Sequence, residues 1–564
     1  MELQEYENLR EALKKAKGPV QATGTLDSQK VHLMYWLGKD GGFPWKLVVT
    51  YDDQRAREIY DDFRSFTENV WLYPAKDLLF YSADIHGNLM TRQRIAVWRH
   101  LMEDEEGVVV TTLDGLMDHL LPLVFLKQQA VTVENGQIMD LDEWKERLTV
   151  LGYERTAQVD GMGQFSIRGG IVDIFPLTEE VPVRIELWDD EVDSIRSFDP
   201  ESQRSVEQLE KVTIYPAAET VLTKKQLEAG IAGLEKEEKE YEAALRAKHQ
   251  IEEASRIRGI IKELTEGIRQ GWKRDGLDAY IRYFCPETVS FLDYFPAGDT
   301  LICLDEPARL KEKGETVEQE FRESMIHRLE KGYLLPGQTE LLYAGPQVLA
   351  KLQGSYTVML TGLDQKLPGM KVKEKFSFDV RNVNSYQNSF DMLISDLTRW
   401  KKEGYRVVLL SASRTRASRL ASDLREYDLR AYCPDGTGEE HKAAPGEILV
   451  TYGNIHRGFE YPLIKFVIIT EGDMFGTEKK KKRRKKSNYQ GKAIQSFSEL
   501  AVGDYVVHEE HGLGIYKGIE KVERDKVIKD YIKIEYGDGA ICICLLPDWK
   551  ASRNMPERMP RSPS

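Results

Sequence analysis

A regular alternation of short apolar runs with helical stretches near the start of the chain constrains the fold more than any other feature. The apolar runs KLVVTY, NVWLY and GVVVTT occupy residues 46–51, 69–73 and 107–112, and helical stretches cover residues 53–66 and 88–102. Strands that alternate with helices favour a parallel sheet, because each helix returns the chain to the same end of the sheet. The sequence therefore predicts that the chain starts with a doubly wound α/β module.

The size of the chain requires further domains. It has 564 residues with a hydrophobic content of 41%, and single cores stop growing at roughly 250–300 residues. A net charge of −14 excludes a protein that coats nucleic acid with its whole surface, since that needs many lysines and arginines on phosphates. Any contact with nucleic acid should therefore be local.

Cysteine usage and the amino-terminal residues predict a cytoplasmic protein. The cysteines are Cys285, Cys303, Cys433, Cys542 and Cys544. Their odd number and apolar surroundings indicate neither a disulfide framework nor a zinc site. The sequence has no signal-peptide pattern and no apolar stretch long enough to span a bilayer. We predict no metal site, and we expect His508 and His511 to be ordinary hydrogen-bonding side chains.

Residues 20–38 have the layout of a phosphate-binding loop, in which a strand runs through a turn into a helix. When the pattern G-x-x-x-x-G-K-[ST] begins at Gly24, Gln29 stands at the second glycine and Lys30 at the lysine. Val31 stands where a hydroxyl should bind magnesium, and it has no oxygen to offer. We therefore predict a loop that keeps its shape without nucleotide hydrolysis.

A second nucleotide-site signal is the run TLICLDE at residues 300–306, which ends in Asp305 and Glu306. Such an ending can hold a metal ion and a water in an ATPase, although acidic pairs also commonly end strands. Because the lysine loop is damaged, we predict no catalytic role for this pair and no catalytic residue in the chain.

Residues 165–176 (FSIRGGIVDIFP) and 181–199 (VPVRIELWDDEVDSIRSFD) are predicted to form a β-hairpin with a charged outer face. The alternation places Arg184 and Glu186 in water, opposite an apolar core face. Two glycines follow Arg168, and they allow a sharp turn or the close approach of a partner.

The middle of the chain returns to α/β patterns. Residues 223–272 are predicted to be solvated helix, and YTVMLT at 356–361 is predicted to be a strand that completes the first module. A second α/β unit follows, with a strand at 405–410 and a helix at 413–426. The arginines of that helix are interpreted as a surface face: Arg414, Arg416, Arg419 and Arg425.

The basic run KKKKRRKK at residues 479–486 is predicted to be an extended linker, because like charges repel one another. Its composition also allows nonspecific contact of Lys482, Arg483 and Arg484 with DNA phosphates. Residues 496–549 carry glycine turns and alternating strands, which predict a small twisted β-barrel.

Two stretches resemble a known family. Residues 165–176 closely resemble the inserted domain shared by the excision-repair protein UvrB and the transcription-repair coupling factors, and residues 503–520 (GDYVVHEEHGLGIYKGIE) resemble the polymerase-interacting domain of those factors and of CarD-type regulators. The resemblance implies that Arg168, Arg184 and Trp188 dock UvrA, with tryptophan where the family tends to have phenylalanine.

The resemblance also implies a partner for the last module. The β subunit of RNA polymerase would pair with a sheet edge at Tyr531, Ile532, Lys533 and Ile534. It further implies a degenerate, helicase-like first module with an inserted α+β domain, a second small α/β domain and a Tudor-like or CarD-like barrel. The domain boundaries would be 1–127 and 217–375 for the first module, 128–216 for the insert, 380–476 for the second α/β domain, 477–495 for the basic linker, 496–549 for the polymerase-interacting module and 550–564 for a disordered tail.

After Gly539 the resemblance is lost, and the family's translocase motor does not follow. We therefore expect a truncated or frame-shifted product, whose polymerase-interacting module lacks its last strand. The family's ATP and magnesium belong to that motor, so we expect no cofactor in this chain. It would act as a noncatalytic adaptor in transcription-coupled repair.

Two alternatives remain open from the sequence. A UvrB-like ATP-dependent damage-verification protein would need Lys30, Asp305 and Glu306 to bind and split ATP. Against it, residues 111–125 lack the aromatic DNA-gripping hairpin of UvrB. A CarD-like transcription regulator would use the last module alone.

Overall fold

The computed structural model describes residues 2–76, 88–270, 276–387, 389–434 and 443–476. From residue 477 onward it describes the backbone of six strands between residues 492 and 558. The chain divides into two compact units, Met1–Thr477 and Glu478–Ser564. Among the described residues, none of the helices has the length and apolar character that crossing a bilayer requires.

The helices of the described residues all lie in the first unit. They are α1 (Gln4–Lys14), α2 (Asp27–Gly41), α3 (Asp53–Phe63), α4 (Asn88–Met102), α5 (Leu123–Gln129), α6 (Leu141–Val150), α7 (Lys224–Ala247), α8 (Ile251–Gln270), α9 (Ile281–Phe284), α10 (Pro307–Glu330), α11 (Gly345–Lys351), α12 (Phe390–Glu403), α13 (Arg414–Arg425) and α14 (Glu471–Phe475).

Strands occur in both units. They are β1 (Val20–Thr23), β2 (Trp45–Thr50), β3 (Val70–Tyr73), β4 (Gly107–Thr112), β5 (Val131–Glu134), β6 (Glu154–Arg155), β7 (Gln164–Arg168), β8 (Ile171–Ile174), β9 (Val183–Trp188), β10 (Glu191–Phe198), β11 (Ser205–Leu209), β12 (Lys211–Ile214), β13 (Thr300–Asp305), β14 (Thr357–Thr361), β15 (Glu374–Ser377), β16 (Arg381–Asn382), β17 (Arg406–Ser411), β18 (Ala431–Tyr432), β19 (Ile448–Tyr452), β20 (Phe459–Tyr461), β21 (Phe466–Ile469), β22 (Lys492–Ala493), β23 (Tyr505–His508), β24 (Gly512–Arg524), β25 (Val527–Tyr536), β26 (Ile541–Leu545) and β27 (Glu557–Arg558).

A seven-stranded parallel sheet forms the centre of the first unit, in the order β15-β1-β14-β13-β2-β4-β3. Trp45, Leu47 and Val49 of β2 face one core, and Val48 faces another on the opposite side. Strands that are buried on both faces have nearly continuous apolar sequences. The apolar runs in this sequence have that pattern. The predicted parallel sheet is confirmed.

An antiparallel sheet occupies residues 154–209 and has the order β11-β10-β9-β8-β7-β6, with only β6 and β7 parallel. The two predicted runs form four consecutive strands, because the chain turns between β7 and β8 at Gly169, where φ is +61°. One face packs on a core that includes Phe165, Ile174 and Ile185. The other face carries the charged residues.

The stretch predicted as a solvated helix is a helical hairpin of α7 and α8. Its exposed faces are charged, but Leu234, Ile257 and Ile261 belong to a shared buried core. Thr223 caps α7 by accepting a hydrogen bond from the backbone N–H of Gln226. The predicted helical structure is confirmed, and the apolar residues of the two helices form a core between them.

The second α/β sheet has the order β16-β20-β21-β17-β19-β18, in which β21, β17, β19 and β18 are parallel. Val407 and Leu409 of β17 pack with α12 and α13, whereas Val408 and Leu410 pack toward the core of the parallel seven-stranded sheet. The predicted strand and helix at this position are confirmed as β17 and α13.

The second unit contains a sheet in the order β22-β27-β23-β24-β25-β26, antiparallel throughout. Residues 541–545 supply a strand after Gly539, so the prediction of a missing last strand is wrong. Residues 557–558 form a short strand within the tail predicted to be disordered. Barrel closure of this sheet and the exact domain boundaries stay predictions.

Candidate functional site

The layout of a phosphate-binding loop is present where the sequence predicted it. Strand β1 runs through Gly24, whose φ of +73° favours glycine, into α2. A Cβ at Gly24 would lie 2.2 Å from the carbonyl oxygen of Phe378, so no side chain fits there. Gln29, Lys30 and Val31 all lie buried in the first turns of α2.

Lys30 is held by the two acidic residues that end β13. Its Nζ lies 2.7 Å from Asp305 Oδ1 and 2.6 Å from Glu306 Oε1, and its side chain is only 5% exposed. The strands β1, β13 and β2 are parallel, so the groups that follow them meet at one edge of the sheet. The lysine therefore lies where a phosphate would otherwise bind, already neutralised.

Two further groups complete this cluster around Asp305. The hydroxyl of Thr50 and the Nε of Arg55 donate hydrogen bonds to Asp305 Oδ2 at 2.9 and 3.2 Å. Burial by itself would raise the pKa of Asp305, but the charges of Lys30 and Arg55 outweigh it and leave the pKa below its ordinary value. Asp305 is thus a fixed, fully buried carboxylate.

The start of α2 is covered by the second α/β sheet. The Gln29 side chain donates to the hydroxyl of Tyr461 at 2.9 Å and accepts from the backbone N–H of Leu26 at 3.1 Å. The backbone N–H of Arg457 donates to the hydroxyl of Ser28 at 3.0 Å. The Gln29 amide and the backbone N–H of Leu26 therefore already have protein partners.

These residues do not fit a magnesium nucleotide. Val31 is fully buried and offers no oxygen to a metal ion. Glu306 adopts a left-handed φ of +51°, and its carboxylate accepts from the backbone N–H of Gly362 as well as from Lys30. The cluster is a structural ion pair network inside the fold.

Sequence reasoning missed three members of this cluster. Thr50 is the last residue of β2 and Arg55 lies in the first turn of α3, and the meeting of parallel strand ends would have pointed to them. Tyr461 had no such signal, because it lies more than 400 positions from Gln29.

The outer face of the antiparallel sheet centres on Asp173, which the sequence analysis also missed. The register pairs Asp173 of β8 with Arg184 of β9. Arg184 donates to both carboxylate oxygens, at 2.7 and 2.9 Å, and Arg168 donates to one of them at 2.8 Å. Two arginines on different strands therefore share one nearly buried carboxylate.

Arg184 does not lie in water as predicted. Its side chain is only 14% exposed, because the guanidinium stacks 4.4 Å from the centre of the Phe198 ring and also donates to Gln203. Arg168, in contrast, is 47% exposed. Glu186 is partly exposed and is paired with Arg196.

Trp188 ends β9 on the same face as Arg184, since alternate residues of a strand share a face. It is 80% exposed, the largest exposed fraction among the large apolar side chains of the described residues. The structure thus brings together Arg168 and Arg184 on Asp173, and it places Trp188 about 13 Å further along the sheet by the strand rise.

The predicted polymerase contact at Tyr531, Ile532, Lys533 and Ile534 lies on β25, which is not an edge. Strand β25 pairs with β24 on one side and with β26 on the other. Its backbone groups are therefore engaged on both sides, and pairing with a partner at these residues is excluded. Within the strands that the structure describes, β26 has the free edge on this side of the sheet. Lys482, Arg483, Arg484 and His511 lie outside the described residues.

Comparison with known proteins matches two family models. A UvrB interaction domain covers residues 131–219, and a CarD-like/TRCF RID domain covers residues 500–543. The transcription-repair-coupling factor of Bacillus subtilis strain 168 is 33% identical over 495 residues, which are 87% of this chain and 41% of that protein. The factor of Staphylococcus haemolyticus is 31% identical over 497 residues, with the same coverage.

The chain belongs to the transcription-repair-coupling factor family. It spans about two fifths of the length of the curated transcription-repair-coupling factors it matches. The UvrB interaction domain contains the Asp173 cluster and Trp188. The second match extends to residue 543, inside β26, so the resemblance continues past Gly539.

Proposed function

We propose that this chain is an adaptor in transcription-coupled nucleotide-excision repair. The antiparallel sheet β6–β11 would dock UvrA, and the C-terminal sheet would hold RNA polymerase. The observation that carries the proposal is the presence of a UvrB interaction domain and a CarD-like/TRCF RID domain in one chain, with a solvent-facing tryptophan on the same sheet face as paired arginines in the first.

On the sheet that docks UvrA, the side chains have separate roles. Trp188 offers a flat apolar anchor, and aromatic anchors dominate binding energy at many interfaces. Arg168 retains exposed donors for a charge-assisted hydrogen bond with the partner. Arg184 acts through Asp173, since its own donors are engaged inside the sheet.

For RNA polymerase, the edge of β26 is the surface that suits strand addition. An edge strand offers a row of backbone N–H and C=O groups to an incoming strand. We assign this contact to Ile541–Leu545, in place of Tyr531–Ile534.

The adaptor role requires no ATP at the lysine loop. Lys30 is held by two carboxylates, and Val31 offers no metal ligand. We propose that this chain neither hydrolyses ATP nor displaces a stalled polymerase by itself. ATP-dependent polymerase release by the purified chain would contradict this.

Capture of both partners tests the adaptor role. The purified chain is immobilised and presented with UvrA and RNA polymerase, separately and together, and the expected result is a complex of all three. Trp188→Ala should lose UvrA and keep polymerase, whereas the control Leu363→Ala, which removes an exposed apolar side chain outside the sheet, should keep both. Capture of neither partner at micromolar concentration by folded protein would refute the proposal.

A further inference from the structure

The first turns of α13 combine exposed arginines and hydroxyls, and the nearest acidic side chains are Glu471, which binds Arg416, and Asp423 further along the helix. From Ser413 to Ser422 the helix carries three arginines and no aspartate or glutamate. Arg414, Arg416 and Arg419 are exposed, while the opposite side of the helix is buried against the second α/β sheet. Among the described residues, neither Arg414 nor Arg419 has a carboxylate at salt-bridge distance.

The same face carries hydroxyl groups and a helix N-terminus. Thr415 and Ser418 are exposed between the arginines. The backbone N–H of Ala412 and the guanidinium of Arg416 both donate to the carboxylate of Glu471, which enters the crevice between the ends of β17 and β21. Glu471 thus engages Ala412 and Arg416, and the arginines of this face without a carboxylate partner among the described residues are Arg414 and Arg419.

An exposed aromatic ring lies beside this helix turn. Tyr452 ends β19 directly opposite Ser411, the last residue of β17, and it is 63% exposed. Because α13 follows β17 and packs back along β19, its first turns lie at the same sheet edge as Tyr452. Tyr452 shares the α13 face of the sheet, since it alternates with buried Ile448 and Val450.

We propose that the first turns of α13, with Tyr452, bind single-stranded DNA. Arginines and hydroxyls bind phosphate oxygens, and an exposed ring stacks on an unpaired base, as in proteins that bind single strands without sequence preference. The strand is DNA in keeping with the repair role proposed above. Arg425 is excluded from the surface, because its Nε donates to the carbonyl of Ala431.

Fluorescence anisotropy with a labelled thymidine 20-mer tests the proposal. The whole chain is used, with the basic run 479–486 replaced by glycine and serine so that it contributes no binding. Arg414→Ala combined with Arg419→Ala should weaken binding about tenfold and lower the salt-dependence slope by roughly 1.4, since each phosphate contact to a single strand contributes roughly 0.7.

Matched variants decide the outcome. Arg258→Ala combined with Arg322→Ala removes two exposed arginines of other helices and should leave affinity unchanged. Tyr452→Ala should weaken binding about tenfold and Tyr452→Phe should not, since stacking needs only the ring. All variants should still capture UvrA, which separates this proposal from the adaptor role.

Two results would overturn the inference. If the two double arginine variants lost the same affinity for the thymidine 20-mer, net charge alone would account for the binding. Equal or tighter binding of a DNA duplex or a uridine 20-mer, at unchanged melting temperature, would remove the assignment to single-stranded DNA.

Discussion

Asp305 and Asp173 are both buried carboxylates held between two cations from neighbouring segments, yet their surroundings differ. Around Asp305, the side chains of Lys30 and Arg55 are almost completely buried. Around Asp173, Arg184 is covered but Arg168 is half exposed, and Trp188 stands free on the same face. Similar ion-pair chemistry is therefore fully buried around Asp305 and partly exposed to solvent around Asp173.

The difference also predicts where energy is lost on mutation. Removing one partner of a buried ion pair leaves an uncompensated charge, which costs about 3–5 kcal/mol, whereas exposed pairs contribute about 0–1 kcal/mol. Substitution of Asp305 should therefore lower the free energy of unfolding. Substitutions around Trp188 should instead lower the affinity for UvrA.

The largest effect is expected for Asp305→Ala. It should lower the free energy of unfolding by about 3–5 kcal/mol, because Lys30 and Arg55 lose the fully buried carboxylate that they share and keep only the more exposed Glu306 and Glu58. Chemical denaturation measures this. Asp364→Ala, which removes an exposed partner of Lys375, is the control and should change stability by less than about 1 kcal/mol. A loss that small for Asp305→Ala as well would mean that the cluster is not structural.

Trp188→Ala should weaken UvrA binding by about 2 kcal/mol or more, the range of interface hot spots, without changing the melting temperature. Isothermal titration with UvrA gives the affinity. Trp188→Phe keeps a flat ring and should stay close to the wild-type affinity. If Trp188→Ala binds UvrA as tightly as the wild type, the tryptophan is not the anchor.

The two arginines on Asp173 should respond differently. Arg184→Ala should weaken UvrA binding by about 2 kcal/mol and also lower stability, because Asp173 keeps only the half-exposed Arg168. Arg168→Ala should weaken binding with little effect on stability. Paired titrations and denaturation curves separate the two, and equal stability losses would show that both arginines are structural.

The smallest effect is expected at a third buried carboxylate, Asp62. Its partner is the titratable side chain of His456. The ring Nδ1 of His456 lies 2.8 Å from Asp62 Oδ1, and this hydrogen bond raises the pKa of His456 above its ordinary 6.5. The raised pKa stabilises the fold below about pH 6.5, and the contribution is lost as pH rises through the raised value.

Because the His456 ring is partly exposed, solvent screening should keep the contribution below about 1 kcal/mol. Denaturation of the wild type and of His456→Gln at about pH 5.5 and about pH 8.5 measures it. The variant should lose the extra stability at the lower pH. An identical pH dependence in both proteins would show that the contact between His456 and Asp62 does not stabilise the fold.

Local patterns predicted local structure well. The parallel sheet followed from the alternation of strands and helices, and the loop layout followed from spacing around Gly24. Asp173 could have been found from the register, since a hairpin pairing of β8 with β9 places it opposite Arg184. The helical hairpin of α7 and α8 was visible as helix, but its shared core depends on contacts between the two helices.

Contacts between distant segments were not predictable in the same way. The hydrogen bond between Gln29 and Tyr461 connects α2 with β20 of the second α/β sheet, and no sequence pattern near either residue predicts it. The position of β25 inside its sheet depends on its pairing with residues 541–545, which come later in the chain. An edge contact was therefore assigned to an interior strand.

The burial of Gln29 against Tyr461 has an evolutionary consequence. Replacing Gln29 by glycine would delete two hydrogen bonds at once, yet Val31 would still offer no metal ligand and Lys30 would still be held by Asp305 and Glu306. This single step toward a working nucleotide site thus costs stability before any activity returns. Selection for stability therefore disfavours it as a first change.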